Sequence, residues 1–102
     1  MVKIDPPDNF VHAIRHFLCE ERKKRNLSQF ELAWKSGLSR QCVSFFESGR
    51  RTPTFFSLLA LARGLDMPAM KFMSMLINKV EYYEHRNGLN MVADGKKPEW
   101  KA

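Results

Sequence analysis

Hydrophobic residues recur at helical spacing along most of the chain. Phe10, Ile14 and Phe17 lie three or four positions apart, which places them on one face of a helix. This pattern predicts a first helix over about residues 9–25, with Asn26 as its stop signal.

Two short helices are predicted next, each between a capping residue and a glycine. Ser28 has a glutamate three residues later, the spacing of a capping box, and starts a helix over about residues 29–36. Gly37 can end that helix because it adopts the left-handed conformation without a Cβ clash. Ser39 then caps a third helix over residues 40–48.

The second half of the chain predicts two more helices. Thr54 caps a fourth, whose apolar stripe is Phe55, Leu58, Leu59, Ala62 and Leu65. Pro68 opens a fifth that extends to about His85 and carries an apolar stripe at spacings of three, four and three: Met70, Met73, Ile77 and Val80. The fold class is therefore all-α, with five helices and an irregular tail.

Length and composition restrict the function classes. A chain of 102 residues forms one domain and is too short for a large cleft between lobes. No uncharged run reaches the roughly 18 to 20 apolar residues of a membrane span, and the first residues lack the apolar core of a secretion signal. We therefore expect a cytoplasmic protein that does not contact a membrane, with Cys19 and Cys42 as reduced thiols.

The net charge of +6 is unevenly distributed. Residues 11–25 carry five positive and two negative charges, and residues 40–51 carry three arginines against one glutamate. Residues 66–85 instead sum to one net negative charge. A local basic excess of this kind is what a surface facing phosphates requires.

The segment between Gln29 and Phe46 has the pattern of a helix-turn-helix. Ala33 and Gly37 are small enough to let two short helices pack closely across a tight turn. Over about residues 10–73 the chain resembles the Cro/CI-type (XRE-like) helix-turn-helix family of phage and bacterial repressors. The resemblance is carried by Ser28-Gln29-x-x-Leu32-Ala33, Gly37-Leu38-Ser39, Val43-Ser44-x-x-Glu47-x-Gly49, Pro53 and Leu58 to Leu65.

The resemblance implies a compact bundle of five helices, a lambda repressor-like DNA-binding domain with an extended C-terminal helix. The domain spans residues 9–73, with the helix-turn-helix at 29–48 and the recognition helix at 40–48 in the major groove. Residues 74–86 are then a helical extension for dimerisation, and residues 87–102 form a polar, flexible tail.

The start of the recognition helix carries the residues expected to contact bases: Arg40, Gln41, Ser44 and Phe45. Arg40 can donate two hydrogen bonds to guanine, and Gln41 can pair similarly with adenine. Phe45 stands where the family often has a polar residue. Its ring could pack on thymine methyl groups, or it could fold back onto the protein surface.

A second set of residues is expected to contact phosphates: Ser28, Gln29, Ser39, Arg50 and Arg51. Gln29 occupies the family's phosphate-contacting position at a helix N-terminus, where free backbone N–H groups favour an anion. The alternative for Arg50 and Arg51 is a simple solvated pair. Glu47 would repel phosphates unless it turned inward, and the resemblance implies a structural ion pair between Glu47 and Arg22.

Besides Phe45, three residues depart from the family pattern. Ser36 replaces a small apolar residue, which would loosen the contact made by the second helix. Trp34 and Phe56 are aromatic at positions that favour exposure. They indicate either an interface or packing against the C-terminal segment.

The function that follows is sequence-specific binding of double-stranded DNA by a homodimer, which represses transcription by occupying a palindromic operator. The dimer interface is expected to consist of Met70, Met73, Ile77, Val80 and Tyr83. The alternative is an antitoxin or a restriction-modification controller whose C-terminal segment binds a protein partner, such as a toxin. Activation through contact with RNA polymerase also remains open.

An enzyme is not expected, because no catalytic constellation or phosphate-cradling glycine loop is present. His12, His16 and Cys19 share one face of the first helix and could hold a transition metal. No fourth ligand is evident, and histidines on a polar helix face are ordinary. We therefore expect no metal and no cofactor.

Overall fold

The computed structural model describes residues 8–87, which form five α-helices. The helices are α1 (Asp8–Lys24), α2 (Gln29–Ser36), α3 (Arg40–Ser48), α4 (Phe55–Gly64) and α5 (Ala69–Asn87). No strand occurs within this range, so the all-α, five-helix prediction is confirmed. The predicted tail lies outside the described residues except for Asn87, which belongs to α5 rather than to the tail.

Side-chain caps determine where the short helices begin. The Ser28 hydroxyl accepts a hydrogen bond from the Glu31 backbone N–H at 3.0 Å, and Glu31 Oε1 accepts one from the Ser28 N–H at 2.9 Å. Ser39 and Thr54 accept equivalent bonds at the starts of α3 and α4. Each capping side chain pairs with an N–H group that the first helical turn leaves without a partner. The predicted starts of α2, α3 and α4 are therefore confirmed.

The helix ends follow from residues that tolerate positive φ. Gly37 and Gly49 end α2 and α3 with φ of 72° and 81°. Asn26, with φ of 56°, turns the chain after α1, as its polar side chain allows. A Cβ at Gly49 would also lie 2.9 Å from the Arg15 side chain, so α1 approaches α3 closely there.

One hydrophobic core joins all five helices. α1 packs against α3 and α5, while α2 packs against α3 and α4. The largest fully buried side chains are Phe17, Phe72, Leu18, Leu32, Leu61, Leu65 and Val43. Within residues 8–87, α1 packs on one side of α3 and α4 on one side of α2, and no further helix covers the opposite side of the helix-turn-helix.

The contact between α2 and α4 depends on a glycine and a serine. A Cβ at Gly64 would collide with the Ser36 hydroxyl and press on Leu32, so the glycine permits the close approach of the two helices. Ser36 is buried, and its hydroxyl has no hydrogen-bond partner within the described part of the chain. A buried hydroxyl without a partner costs stability, but the helices are in close contact here, so the loosening expected from Ser36 stays a prediction.

The aromatic residues of α2 and α4 face solvent. Phe55 and Leu59 were expected in the α4 stripe, but both are exposed, while Leu58, Ala62 and Leu65 reach the core. Trp34 and Phe56 are 79% and 76% exposed. The described part of the C-terminal segment does not cover them, since α5 packs chiefly against α1.

The predicted boundary between the domain and its helical extension lies at residues 73 and 74. In the structure α5 runs through this boundary as one continuous helix. Its second half returns along α1, where Lys79 pairs with Glu20 at 2.9 Å. The Tyr83 ring lies 5.6 Å from the His16 ring, measured between centroids. Among the described residues, no helix is long and apolar enough to cross a membrane.

Candidate nucleic-acid interface

The exposed start of α3 carries polar side chains that point away from the core. Val43 and Phe46 are buried on one face of α3, which leaves Arg40, Gln41 and Ser44 on the other faces. Arg40 and Gln41 are exposed, and Ser44 is half-buried. Within residues 8–87 none of these three side chains has an ion-pair or hydrogen-bond partner. Their donors and acceptors are therefore available to a ligand.

The Phe45 ring lies close to both arginines that follow α3. Its ring centroid is 5.8 Å from the Arg50 guanidinium carbon and 5.2 Å from that of Arg51. Both distances fall within the range of a cation–π interaction. The ring is half-buried and lies near both guanidinium groups, while packing on thymine methyl groups and folding back onto the protein surface both stay predictions.

Glu47 turns inward and joins three elements. Its carboxylate accepts hydrogen bonds from Arg22 Nε at 2.8 Å, Arg22 Nη2 at 3.0 Å and Gln29 Nε2 at 3.1 Å. The side chains of Glu47 and Arg22 are only 6% and 13% exposed. The carboxylate on the recognition helix is thus neutralised inside the protein and does not face the surface that carries Arg40.

Arg22 fixes the end of α1 as well as α3. Its Nη1 donates to the Leu27 carbonyl at 2.8 Å, in the turn before α2. The hydrogen bond to Glu47 raises the pKa of the Arg22 guanidinium and outweighs the opposing effect of burial. Arg22 therefore remains charged and connects α1, the α1–α2 turn and α3.

The residues predicted to contact phosphates at the helix starts differ in whether their side chains can still donate a hydrogen bond to an anion. Gln29 donates one amide N–H to Glu47, so its side chain is directed towards the ion pair. Ser28 and Ser39 are exposed, and their hydroxyl oxygens accept backbone N–H groups. Each serine hydroxyl can still donate its own hydrogen to an anion.

Two interactions at α1 were not predicted. Arg25 donates from Nε to the Leu65 carbonyl at 2.9 Å, and from Nη1 to both the carbonyl and the carboxylate of Glu21. Arg15 donates from Nε to the Glu47 carbonyl at 3.3 Å. The acceptors on Leu65 and Glu47 are main-chain carbonyls, which every residue type provides, so the sequence contains no signal for those two contacts. The pair of Arg25 with the Glu21 carboxylate has the i,i+4 spacing of a helical ion pair, which the sequence does show.

The residues predicted for a dimer interface divide into two groups. Met70 and Ile77 are 82% and 51% exposed and present apolar surface to solvent. Met73 and Val80 are partly buried and pack against the core, and Tyr83 lies against His16 of the same chain. Met70 and Ile77 therefore offer more free surface than the other three.

The helix face with His12, His16 and Cys19 does not form a metal site in the described structure. No group of three histidine, cysteine, aspartate or glutamate residues within the described range could hold a metal ion. Cys19 instead lies 3.9 Å from Arg22 Nη2, measured from its sulfur.

Comparisons with known proteins agree with this geometry. An uncharacterized HTH-type transcriptional regulator, y4dJ, from Sinorhizobium fredii (strain NBRC 101917 / NGR234) is 41% identical over 46 residues. That match covers 45% of this chain and 60% of the relative, so the chain spans less than two thirds of the relative's length.

Solved structures of a restriction-modification controller protein, C.Esp1396I, are also similar. The wild-type crystal structure gives a TM-score of 0.65 at 27% sequence identity, covering 72% of this chain and 95% of that one. A high-resolution triclinic form gives 0.64 at the same identity and coverage. Residues 20–72, more than half of the chain, match the helix-turn-helix family, and the chain belongs to the Cro/CI-type (XRE-like) branch of that family.

Proposed function

We propose that the protein binds double-stranded DNA as a homodimer and represses transcription by occupying a palindromic operator. One observation carries the proposal: the exposed start of α3 presents Arg40 and Gln41 without partners among residues 8–87, while Glu47 on the same helix is neutralised by Arg22. A helix of this kind fits the major groove, where each base pair displays a distinct pattern of donors and acceptors.

The proposed contacts fall into two classes. Arg40, Gln41 and Ser44 contact base edges and provide specificity. The phosphate contacts come from the starts of α2 and α3 and from the chain just after α3: Ser28, Gln29, Ser39, Arg50 and Arg51. Gln29 contributes through its backbone N–H at the start of α2, since its amide is turned towards Glu47.

The proposed dimer uses the exposed face of α5. Met70 and Ile77 form the centre of the contact, and the partly buried Met73, Val80 and Tyr83 lie beside it. A two-fold dimer matches two half-sites about one helical turn apart. Sedimentation at tens of micromolar should show a dimer, and a monomer at that concentration would count against this arrangement.

Selection of binding sites from random duplexes, followed by titration against salt, tests DNA binding directly. Arg40→Ala should weaken binding to the selected site by about 1 to 3 kcal/mol and relax specificity at one base position. Arg51→Ala should weaken selected and random duplexes alike and lower the salt slope by about one. If both variants weaken the two kinds of duplex equally, Arg40 does not read bases.

Control of a restriction-modification operon is a second candidate function. It is favoured by the similarity to C.Esp1396I, which extends over 95% of that protein and 72% of this chain. A reporter driven by the selected operator distinguishes the possibilities: repression supports the first proposal, and stimulation supports contact with RNA polymerase. Copurification of a toxin with the full chain would instead indicate an antitoxin.

A further inference from the structure

Phe45 contacts Arg50 and Arg51 through its main chain as well as its ring. Its carbonyl accepts hydrogen bonds from the Arg50 N–H at 2.9 Å and the Arg51 N–H at 3.3 Å. The Ser48 hydroxyl donates to the same carbonyl at 3.2 Å. One residue of the recognition helix therefore holds both the backbone and the guanidinium groups of the following arginine pair.

The ring has a physical effect on these two cations. Adjacent guanidinium groups repel each other, and each long side chain loses rotamer freedom when it binds a phosphate. The face of an aromatic ring attracts a cation, which offsets part of the repulsion and restricts the rotamers before binding. Arg50 and Arg51 are both exposed, so their remaining donors stay open to an anion.

We propose that Phe45 is a positioning residue that holds Arg50 and Arg51 as a preformed clamp for the DNA phosphate backbone. The proposal rests on the proposed function, since it assumes that the chain binds duplex DNA. Phe45 then increases the affinity for DNA of any sequence and does not recognise bases. The aromatic ring acts on DNA through the two arginines.

Replacement of the ring tests the proposal. Phe45→Leu keeps an apolar side chain but removes the π face, whereas Phe45→Trp keeps a stronger one. Dissociation constants are measured on the selected operator and on a random duplex over a range of KCl concentrations. We expect Phe45→Leu to weaken both by about three- to tenfold and to lower the salt slope, and Phe45→Trp to stay within about twofold of wild type.

Trp34→Leu is the matched control, because it removes an exposed aromatic ring of α2 that has no assigned contact with DNA. It should leave both dissociation constants unchanged. Thermal melting of each variant checks that the fold is retained. Rescue by Phe45→Trp separates loss of the π face from a simple packing defect.

A double-mutant cycle decides whether Phe45 acts through the arginines. In an Arg50→Ala, Arg51→Ala background, Phe45→Leu should have no further effect on either duplex. An undiminished effect there would overturn the proposal. So would a loss that is confined to operators containing thymine and disappears when uracil replaces it, because the ring would then read methyl groups. Absence of salt-dependent DNA binding by the wild-type protein would overturn the proposed function itself, and the clamp with it.

Discussion

Two sets of arginines in this small domain have opposite environments. Arg22 and Arg25, at the end of α1, donate to carboxylates and to main-chain carbonyls of other elements. Arg40, Arg50 and Arg51 are exposed on or just after α3, and within residues 8–87 none of them pairs with a carboxylate. Arginine side chains thus connect helices in one region of the molecule and remain available to a ligand in the other.

The difference shows that a cluster of charge in the sequence is not a cluster on the surface. The densest basic run of the chain is residues 22–25, yet Arg22 pairs with Glu47 while Lys24 and Arg25 both pair with Glu21. Two carboxylates, Glu47 and Glu21, thus offset about half of the four positive charges in this run. The sparser arginines around α3 have no carboxylate partner within residues 8–87 and are better placed to attract phosphates.

The largest effect should come from breaking the interior pair at Glu47. Glu47→Ala leaves Arg22 buried without its carboxylate and removes the acceptor of Gln29, so we expect a loss of about 3 to 5 kcal/mol in the free energy of unfolding. Urea unfolding measures it. Glu20→Ala is the control, since Glu20 forms a half-exposed pair with Lys79 and should cost less than about 1 kcal/mol. Equal midpoints for Glu47→Ala and wild type would show that the pair does not hold the fold.

Arg25 should have the next largest effect. Arg25→Ala removes the donor to the Leu65 carbonyl and leaves the buried Glu21 carboxylate with Lys24 alone. We expect destabilisation by about 1 to 3 kcal/mol, measured by the same urea unfolding. Lys23→Ala is the matched control, because Lys23 is exposed in the same turn and should be nearly neutral. If the two variants change the free energy of unfolding equally, Arg25 does not hold the fold together and behaves like the exposed arginines.

Arg22 and Arg25 also show how far sequence reasoning reaches. The Arg22 pairing could be inferred because Glu47 belongs to a recognisable motif, and a carboxylate on a DNA-facing helix needs a partner. Arg25 could not be assigned, because its acceptor just after α4 is a carbonyl that any residue at position 65 would supply.

The helices also have features that the sequence predicts and features that it does not. The caps Ser28, Ser39 and Thr54 gave the starts of α2, α3 and α4, because a cap depends on local side-chain chemistry. Exposure of Phe55 was not predictable from the stripe. Periodicity identifies the face of a helix that packs, but it does not show where the neighbouring element ends.

The pairing of Glu21 with Arg25 and Lys24 should make the stability of the fold sensitive to acid. Burial opposes the charge of Glu21, but the hydrogen bonds and charges of Arg25 and Lys24 outweigh it and hold the pKa of this carboxyl below its usual 4.5. A lowered pKa in the folded state adds stability that is fully present above the unfolded pKa and is lost as pH falls through the folded value. The free energy of unfolding should therefore decrease below about pH 4.5.

Glu21→Gln isolates this contribution. The pKa values of Glu31 and Asp66 are also lowered, by hydrogen bonds from Ser28 and Lys35 respectively, so they add acid sensitivity that the variant retains. Unfolding of wild type and Glu21→Gln between pH 3 and pH 7 should converge as the pH falls. Parallel curves would mean that Glu21 does not bind its proton differently in the two states.

The surface arginines should have the smallest effect on stability. Arg51 is exposed, and its interaction with Phe45 is of the kind worth about 0.5 to 1 kcal/mol at an exposed site. Arg51→Ala should therefore change the unfolding free energy by no more than about that amount while it weakens DNA binding, and Arg40→Ala should change it even less. A loss of stability as large as that of Arg25→Ala would show that Arg51 also holds the fold. The two sets of arginines would then no longer separate into structure and recognition.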